Sequence, residues 1–303
     1  MRALPRFGVA SRAMTTVRLL SEDPVGQRRT SLLETGLALV EDVRSNAHAG
    51  SLGAEGFSPE PQLVLPYRGL FVWEVGRDAV VGDPNQALFV APGEEFRMRH
   101  PLPGGYAELI VTPGEPLLEE LTGGRGRSTR LHPLFRRRAR RIDPSLQLAR
   151  ARFLGMASAG AEPLEVEELL LSLLRAALDQ DPPAVQPARC TQRLLERAKM
   201  FLAAELGRSI GLLEIACAVG ASPGYLTQLF RAVEGVPLHA YLTQLRLAQA
   251  LVELPRAEDL TVLALELGFS SHSHFSARFR RAFGLTPSEF RRSCRRTAPP
   301  LPV

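Results

Sequence analysis

Hydrophobic positions along this chain change their period part-way through. From Gln62 to Thr112 they alternate. In LVLPYRGLFVWEV, Phe71, Trp73 and Val75 fall on one face of an extended segment, and Leu70, Val72 and Glu74 on the other. Further short runs follow at Ala79–Val81, Ala87–Val90, Glu95–Arg99 and Ala107–Val111. They are divided by Gly76-Arg77-Asp78, Gly82-Asp83-Pro84-Asn85, Ala91-Pro92-Gly93 and the stretch from Pro101 to Gly105. Period-two runs between Gly/Pro turns predict an antiparallel sandwich or small barrel. After Pro144 the period becomes helical, and helices are expected over 144–156 and 163–178. In the second, Leu164, Val166, Leu169, Leu170, Leu173 and Leu174 form an apolar stripe, read either as core or as a seam between two copies of the chain. Helical patterning resumes over 191–206, 210–219, 222–233, 238–254, 260–267 and 271–283, with a last helix from Pro287. Ser209 is the expected N-cap of the second of these, Ser222 starts the third, and Pro255 ends the fourth.

Other segments are less patterned. Residues 1–60 are poorly defined, although Ser31–Val43 fits a short helix or a strand, and Ala47–Pro61 reads as loop. Arg125–Arg141 carries eight Arg beside Gly123-Gly124 and Pro133, which reads as a solvated connector. The proline-rich DQDPPAVQP, Asp179–Pro187, reads as a semi-rigid linker able to transmit an orientation. The expected organisation is a β-rich unit with helices over 61–180, a linker over 181–190, a helical unit over 191–296 and a tail over 297–303.

The helical unit repeats itself. Ala216-x3-Gly220 matches Ala264-x3-Gly268, and Phe230-Arg231-x3-Gly235-x5-Tyr241 matches Phe279-Arg280-x3-Gly284-x5-Phe290. The second copy has one extra turn residue. A small residue ahead of a helix-ending Gly, then a short turn and an amphipathic helix, describes a helix-turn-helix. Two in tandem present two recognition helices to DNA from one polypeptide.

Charge agrees with that reading. The formal net charge is +5 over 303 residues. From Cys190 to Arg296 there are fourteen Lys and Arg against nine Asp and Glu, so the excess lies in the helical unit. Such an excess suits a phosphate backbone. Cys190, Cys217 and Cys294 have neither paired nor metal-ligand spacing, which fits a reducing cytoplasm. No stretch has the length and apolarity of a membrane span. The opening MRALPRFGVASRAM has too short an apolar run for a secretory leader, and Met14 is an alternative start.

On the first recognition helix, Leu226, Leu229, Phe230 and Val233 are expected inside, leaving Gly224, Tyr225, Thr227, Gln228 and Arg231 toward DNA. On the second, Phe275, Phe279, Ala282 and Phe283 are inside. His272, Ser273, Ser276, Ala277 and Arg280 face out, with Arg278 and Arg281 beside them as phosphate contacts. Gln reads adenine, Arg binds guanine or phosphate, and Ala touches a thymine methyl. His272-Ser273-His274 lacks further ligands for a metal.

These segments, and GFSSHSHFSARFRRAFGLTPSEFR above all, resemble the DNA-binding domain of the AraC/XylS family of bacterial transcription regulators over 191–296. The resemblance implies seven helices, both recognition helices in successive major-groove segments, and Arg246 on the joining helix, binding locally or supporting DNA contact. One departure is Gly224, which has no side chain at a base-reading position. VLPYRGLFVWEVGRDAVVGDPNQALFVAPGEEFRMRHPLPGG resembles the β-rich sensory part of some members, with Asp83-Pro84-Asn85-Gln86 and Arg99-His100-Pro101 carrying most of the likeness. There the implied fold is a cupin-like barrel. The expected class is therefore α+β: an N-terminal antiparallel β barrel with helices, then an all-α double helix-turn-helix.

His100 is the single His from Gln62 to Thr112, too few for a cupin metal centre, and no catalytic triad spacing occurs. No enzyme, metal or cofactor is therefore expected. Phe71, Trp73, Phe89 and Phe96 are read either as lining an effector pocket or as barrel core. The expected function is a cytoplasmic, homodimeric transcription regulator that binds double-stranded DNA. The resemblance implies activation through RNA polymerase. Its N-terminal unit senses a small effector or, alternatively, only dimerises or binds protein. A cupin enzyme fused to a DNA tether is the least supported alternative. Effector, operator and sign of regulation are not written in the sequence.

Overall fold

The computed structural model describes residues 18–22, 26–46, 52–76, 78–122, 138–178 and 189–297. Most of the basic run and the proline-rich linker lie outside these. The strands of the N-terminal half are β1 (Arg18–Glu22), β2 (Gln27–Glu34), β3 (Ala38–Ser45), β4 (Leu52–Ser58), β5 (Gln62–Gly69) and β6 (Phe71–Val75). They continue with β7 (Asp78–Gly82), β8 (Gln86–Val90), β9 (Glu94–Arg99), β10 (Tyr106–Pro113) and, after helix α1 (Glu115–Thr122), β11 (Ala139–Arg141). Helices α2 (Pro144–Ser158) and α3 (Pro163–Leu178) follow. One antiparallel sheet runs β1-β2-β3-β10-β5-β8-β11, and a second runs β4-β9-β6-β7.

The LVLPYRGLFVWEV run is two strands in different sheets. The chain breaks at Gly69, whose φ of +71° and contact with the Gly105 carbonyl leave no room for a Cβ. Alternation then decides what each face meets. Val64, Leu88, Val90 and Ile110 of the large sheet pack against Phe71, Trp73, Val75 and Phe96 of the small one. The opposite face of the large sheet, with Leu63, Leu65, Phe89, Leu109 and Val111, is covered by α1, α2 and α3. The outer face of the small sheet, Val72 and Val81, with Leu70 just ahead of β6, packs on the helical half through Met200 and Ala203.

Four expectations change here. Ala47–Pro61, read as loop, contains β4 (Leu52–Ser58), paired with β9. Ser31–Val43, left open between a short helix and a strand and given no function, falls on β2 and β3 of the large sheet. Phe89 does not join Phe71, Trp73 and Phe96 but faces the helices, because it shares the parity of Ala87 on β8, opposite to Leu88 and Val90, and pairs with Leu63. The stripe on α3 is core: Val166, Leu170, Leu173 and Leu174 pack against the sheet, and Leu164 alone of the large residues in that stripe is fully outward. A charged substitution at Leu170 or Leu174 would therefore disrupt this half rather than report on a dimer seam.

The C-terminal half is helical: α4 (Arg189–Ala204), α5 (Leu212–Val219), α6 (Pro223–Glu234), α7 (Leu238–Glu253), α8 (Leu260–Glu266), α9 (His272–Phe283) and α10 (Pro287–Thr297). Two cores share α7 as their spine. Leu238, Tyr241, Leu242 and Leu245 of α7 pack with α4, α5 and α6. Leu247, Ala250 and Leu251 of α7 pack with α8, α9 and α10 around Phe275, Phe279, Phe283 and Phe290. Ser209 does not cap α5. The N-cap is Gly211, and Glu214 at the third helical position accepts from its backbone N–H, the half of a capping box that needs no Ser.

Candidate nucleic-acid interface

Both recognition helices are started by a serine side chain. The hydroxyl of Ser222 accepts from the Tyr225 N–H and that of Ser271 from the His274 N–H, satisfying amides the helix leaves free. Ahead of them, Gly220 takes φ +70°, ψ +44°, and Gly268 takes φ +77°. Both conformations favour glycine, which is why the repeat fixes these two residues. Phe269 takes the place of Ala221, its N–H bonded to the Ala264 carbonyl as that of Ala221 is to Ala216, and its ring is buried against Phe275 with centroids 5.2 Å apart. The extra turn residue is Ser270, whose Oγ lies 3.0 Å from His274 Nδ1.

The outward faces of the helices correspond. On α6, Gly224, Gln228 and Arg231 are exposed at positions i, i+4 and i+7, which share one helix face. On α9, Ser273, Ala277 and Arg280 occupy the equivalent positions and are also exposed. Each face thus ends in an arginine in the last turn. Tyr225, Arg278 and Arg281 are exposed on the flanks. Thr227, His272 and Ser276 are half-buried and already bonded within their helices. The Thr227 hydroxyl donates to the Pro223 carbonyl at 2.8 Å, and Ser276 Oγ lies 3.3 Å from His272 Nε2.

Arg246 on α7 ties the two helix-turn-helix units together. Its guanidinium donates to the carbonyls of Leu206 at 2.8 Å, Gly268 at 2.8 Å and Arg208 at 2.7 Å, and it lies over the Phe269 ring. Of the two roles open to it in the sequence, the structure shows the local one. A Cβ at Gly268 would stand 2.7 Å from Arg246 Nη2. The glycine is therefore required by the arginine as well as by its own φ.

Between the sheets of the N-terminal half lie two polar groups that hydrophobic patterning did not mark. Glu108 shares a face of β10 with Tyr106 and Ile110, is 4% exposed, and its Oε2 has no hydrogen-bond partner among the described residues. Burial pushes its pKa up to about 8, with Arg29 opposing and Glu41 reinforcing the rise. His100 is buried, stacked on Tyr106 at 5.0 Å, with Nδ1 likewise without a partner among the described residues. Burial lowers its pKa. Because Glu108 keeps its proton in the folded state to about pH 8 but loses it near the ordinary carboxylate value when unfolded, stability should fall as pH rises between the two. Glu108→Gln should remove that slope, on the order of 1.4 kcal/mol per pH unit. Denaturant unfolding of both chains from pH 5 to 8 checks it, and a gap that stays constant with pH would contradict the assignment.

Two capped recognition helices on one spine, with matching arginine-tipped faces, define a double helix-turn-helix DNA-binding protein. The comparisons place it further. The family model described as "Helix-turn-helix domain" matches residues 215–293. The Transposon Tn10 TetD protein of Escherichia coli is 36% identical over 96 residues, 31% of this chain and 69% of TetD. The HTH-type transcriptional activator RhaR of Klebsiella pneumoniae is 34% identical over 134 residues, 43% of this chain and 48% of RhaR. A crystal structure of an AraC-type transcriptional regulator from Chromobacterium violaceum is 30% identical, covering 35% of this chain and 96% of that one, with a TM-score of 0.33. The chain belongs to the AraC/XylS family of transcription regulators. It spans about half the length of the first curated relatives it matches.

Proposed function

We propose that this chain is a sequence-specific DNA-binding transcription regulator that activates transcription in response to a small effector. The observation that carries the reading is the equivalence of Gly224, Gln228 and Arg231 with Ser273, Ala277 and Arg280, exposed on two helices held by a common spine. Gln228 reads a base edge, Ala277 lies against a thymine methyl, and Arg231 and Arg280, with Arg278 and Arg281, hold phosphate. Gly224 leaves the first half-site less constrained than the second. Activation through RNA polymerase is favoured by the relative named a transcriptional activator. The two facing sheets support a cupin-like sensory barrel. Glu108 Oε2 and His100 Nδ1, without hydrogen-bond partners among the described residues and close to the core of Phe71, Trp73 and Phe96, support an effector held between the sheets. The exposed thiols of Cys190 and Cys217 suit the cytoplasm. Leu164, outward on α3, suits a homodimer contact.

Gln228→Ala tests the assignment. It should relax base preference at one operator position, costing about 1–3 kcal/mol there. The check is titration against a panel of single-base operator variants. An equal loss on every variant would show that Gln228 holds backbone rather than reading sequence.

A further inference from the structure

The turn between β7 and β8 belongs to the N-terminal half, yet it is buried against the helical half. Asp83 and Asn85 are fully buried and Gln86 nearly so. The Asn85 N–H donates to Asp83 Oδ1 at 2.8 Å, which shapes the turn. The Tyr241 hydroxyl on α7 donates to Asp83 Oδ2 at 2.6 Å, and Asn85 Nδ2 donates to the Tyr241 carbonyl at 3.1 Å. Gln86 Nε2 donates to Glu234 Oε2 at 3.0 Å and to the Tyr241 hydroxyl at 3.3 Å. Glu234 is the last residue of α6, the first recognition helix. Its other oxygen pairs with Lys199 Nζ at 2.7 Å. Tyr241 in turn meets Phe230 of α6 edge-on, with centroids 5.1 Å apart. From the other side, Gln147 Nε2 on α2 donates to the Pro84 carbonyl and to Asn85 Oδ1, both at 2.9 Å.

We propose that the Asp83–Gln86 turn is the coupling element of the molecule: it positions the first recognition helix through Tyr241 and Glu234. The proposal rests on the DNA-binding reading above. A buried polar network of this kind is directional. Its members are bonded in one arrangement and costly in any other. The second recognition unit is held differently, by Leu148 of α2 in the apolar core around Phe279 and Phe283. Bonds from the N-terminal half to a recognition helix therefore fall on α6; Met200 and Ala203 of α4 add an apolar contact to the same unit, and Gln244 on the shared α7 bonds Ile142 and Arg141. The turn also has a direct route to the space between the sheets, because Gln86 begins β8 and Leu88, two residues on, packs there with Trp73 and Ile110. Coupling by this route needs no contribution from the proline-rich linker. We take the bonded state, in which Gln228 and Arg231 are exposed, as the DNA-competent one.

The test uses full-length chains carrying Tyr241→Phe or Gln86→Ala. Amide exchange over 223–241 should quicken about tenfold or more in both, while 272–283 is unchanged. Binding to a selected duplex should weaken about tenfold as the competent fraction falls. That loss should be confined to discrimination within the half-site under α6. Unchanged exchange over 223–241, equal quickening over 272–283, or tighter binding would each overturn the proposal. If Tyr241→Phe does not fold, Gln86→Ala, which keeps the Tyr241–Asp83 bond, decides by the same measurements. If the unaltered chain selects no duplex, the DNA-binding reading has failed, and the exchange data alone decide whether the turn holds α6.

Discussion

The double variant Arg231→Ala, Arg280→Ala is expected to bind every duplex about 100-fold or more weakly near 0.1 M salt, with its fold intact. Both arginines are exposed at the equivalent position of the two recognition helices, and both lie in the last turn. Exposed side chains of this kind contribute within about 0.5 kcal/mol to stability. A charge-assisted bond to phosphate contributes about 1.5–3 kcal/mol to binding. Each lost phosphate contact also removes about one released counterion. The slope of log affinity against log salt should therefore become shallower by roughly 1.8 for the pair. Anisotropy titrations at three salt concentrations give both quantities. A weaker chain with an unchanged slope would show that these arginines read bases instead.

Arg246→Leu is expected to have a comparable effect by a different route. It strands the carbonyls of Leu206, Arg208 and Gly268, the three acceptors through which one side chain ties the helix-turn-helix units together. The cost in stability is on the order of 4 kcal/mol, less than the sum of three separate bonds because neighbouring losses share relaxation. Each unit retains its own apolar core. The larger consequence is that the recognition helices lose their fixed relation, and operator affinity should fall about 100-fold, toward the non-specific level. Arg246→Lys should recover little, since an ammonium cannot fork to three carbonyls. Urea unfolding and titration against operator and random duplex check both parts. An Arg246→Leu chain with operator affinity within twofold of the original would refute the role.

The helical half was legible because its signals are local. Ser222 and Ser271 as helix starts, Gly220 and Gly268 as turns, and the phenylalanines at helical spacing each speak for themselves within a few residues, whereas Ser209, read as a cap, lies too far ahead of α5 to serve. The strands from 62 to 111 were legible for the same reason. The misread elements depend on distant partners. β3 carries Glu41, Asp42 and Arg44, charges that break its hydrophobic alternation. They are buried or held through Arg29 and Tyr67, 12 and more residues away. The α3 stripe has the same pattern whether it meets a sheet or a second copy, so periodicity could not separate the two. β8 is buried on both faces and gave no parity for Phe89. At the interface, Arg246 was placed on the joining helix by family likeness, but its three acceptors are backbone groups and leave no trace in residue types. Asp83 and Tyr241 meet across 158 positions, so the bond between the halves had no sequence signature at all.

The central claim is that two equivalent recognition helices read one stretch of duplex DNA. Selection of the purified full-length chain against a random-sequence duplex library at physiological salt tests it most directly. Enrichment of a site with two short conserved blocks about one helical turn apart, roughly 10 bp, with the block under the first helix the more permissive, is the predicted result. A chain that retains selected and random duplexes equally would contradict it.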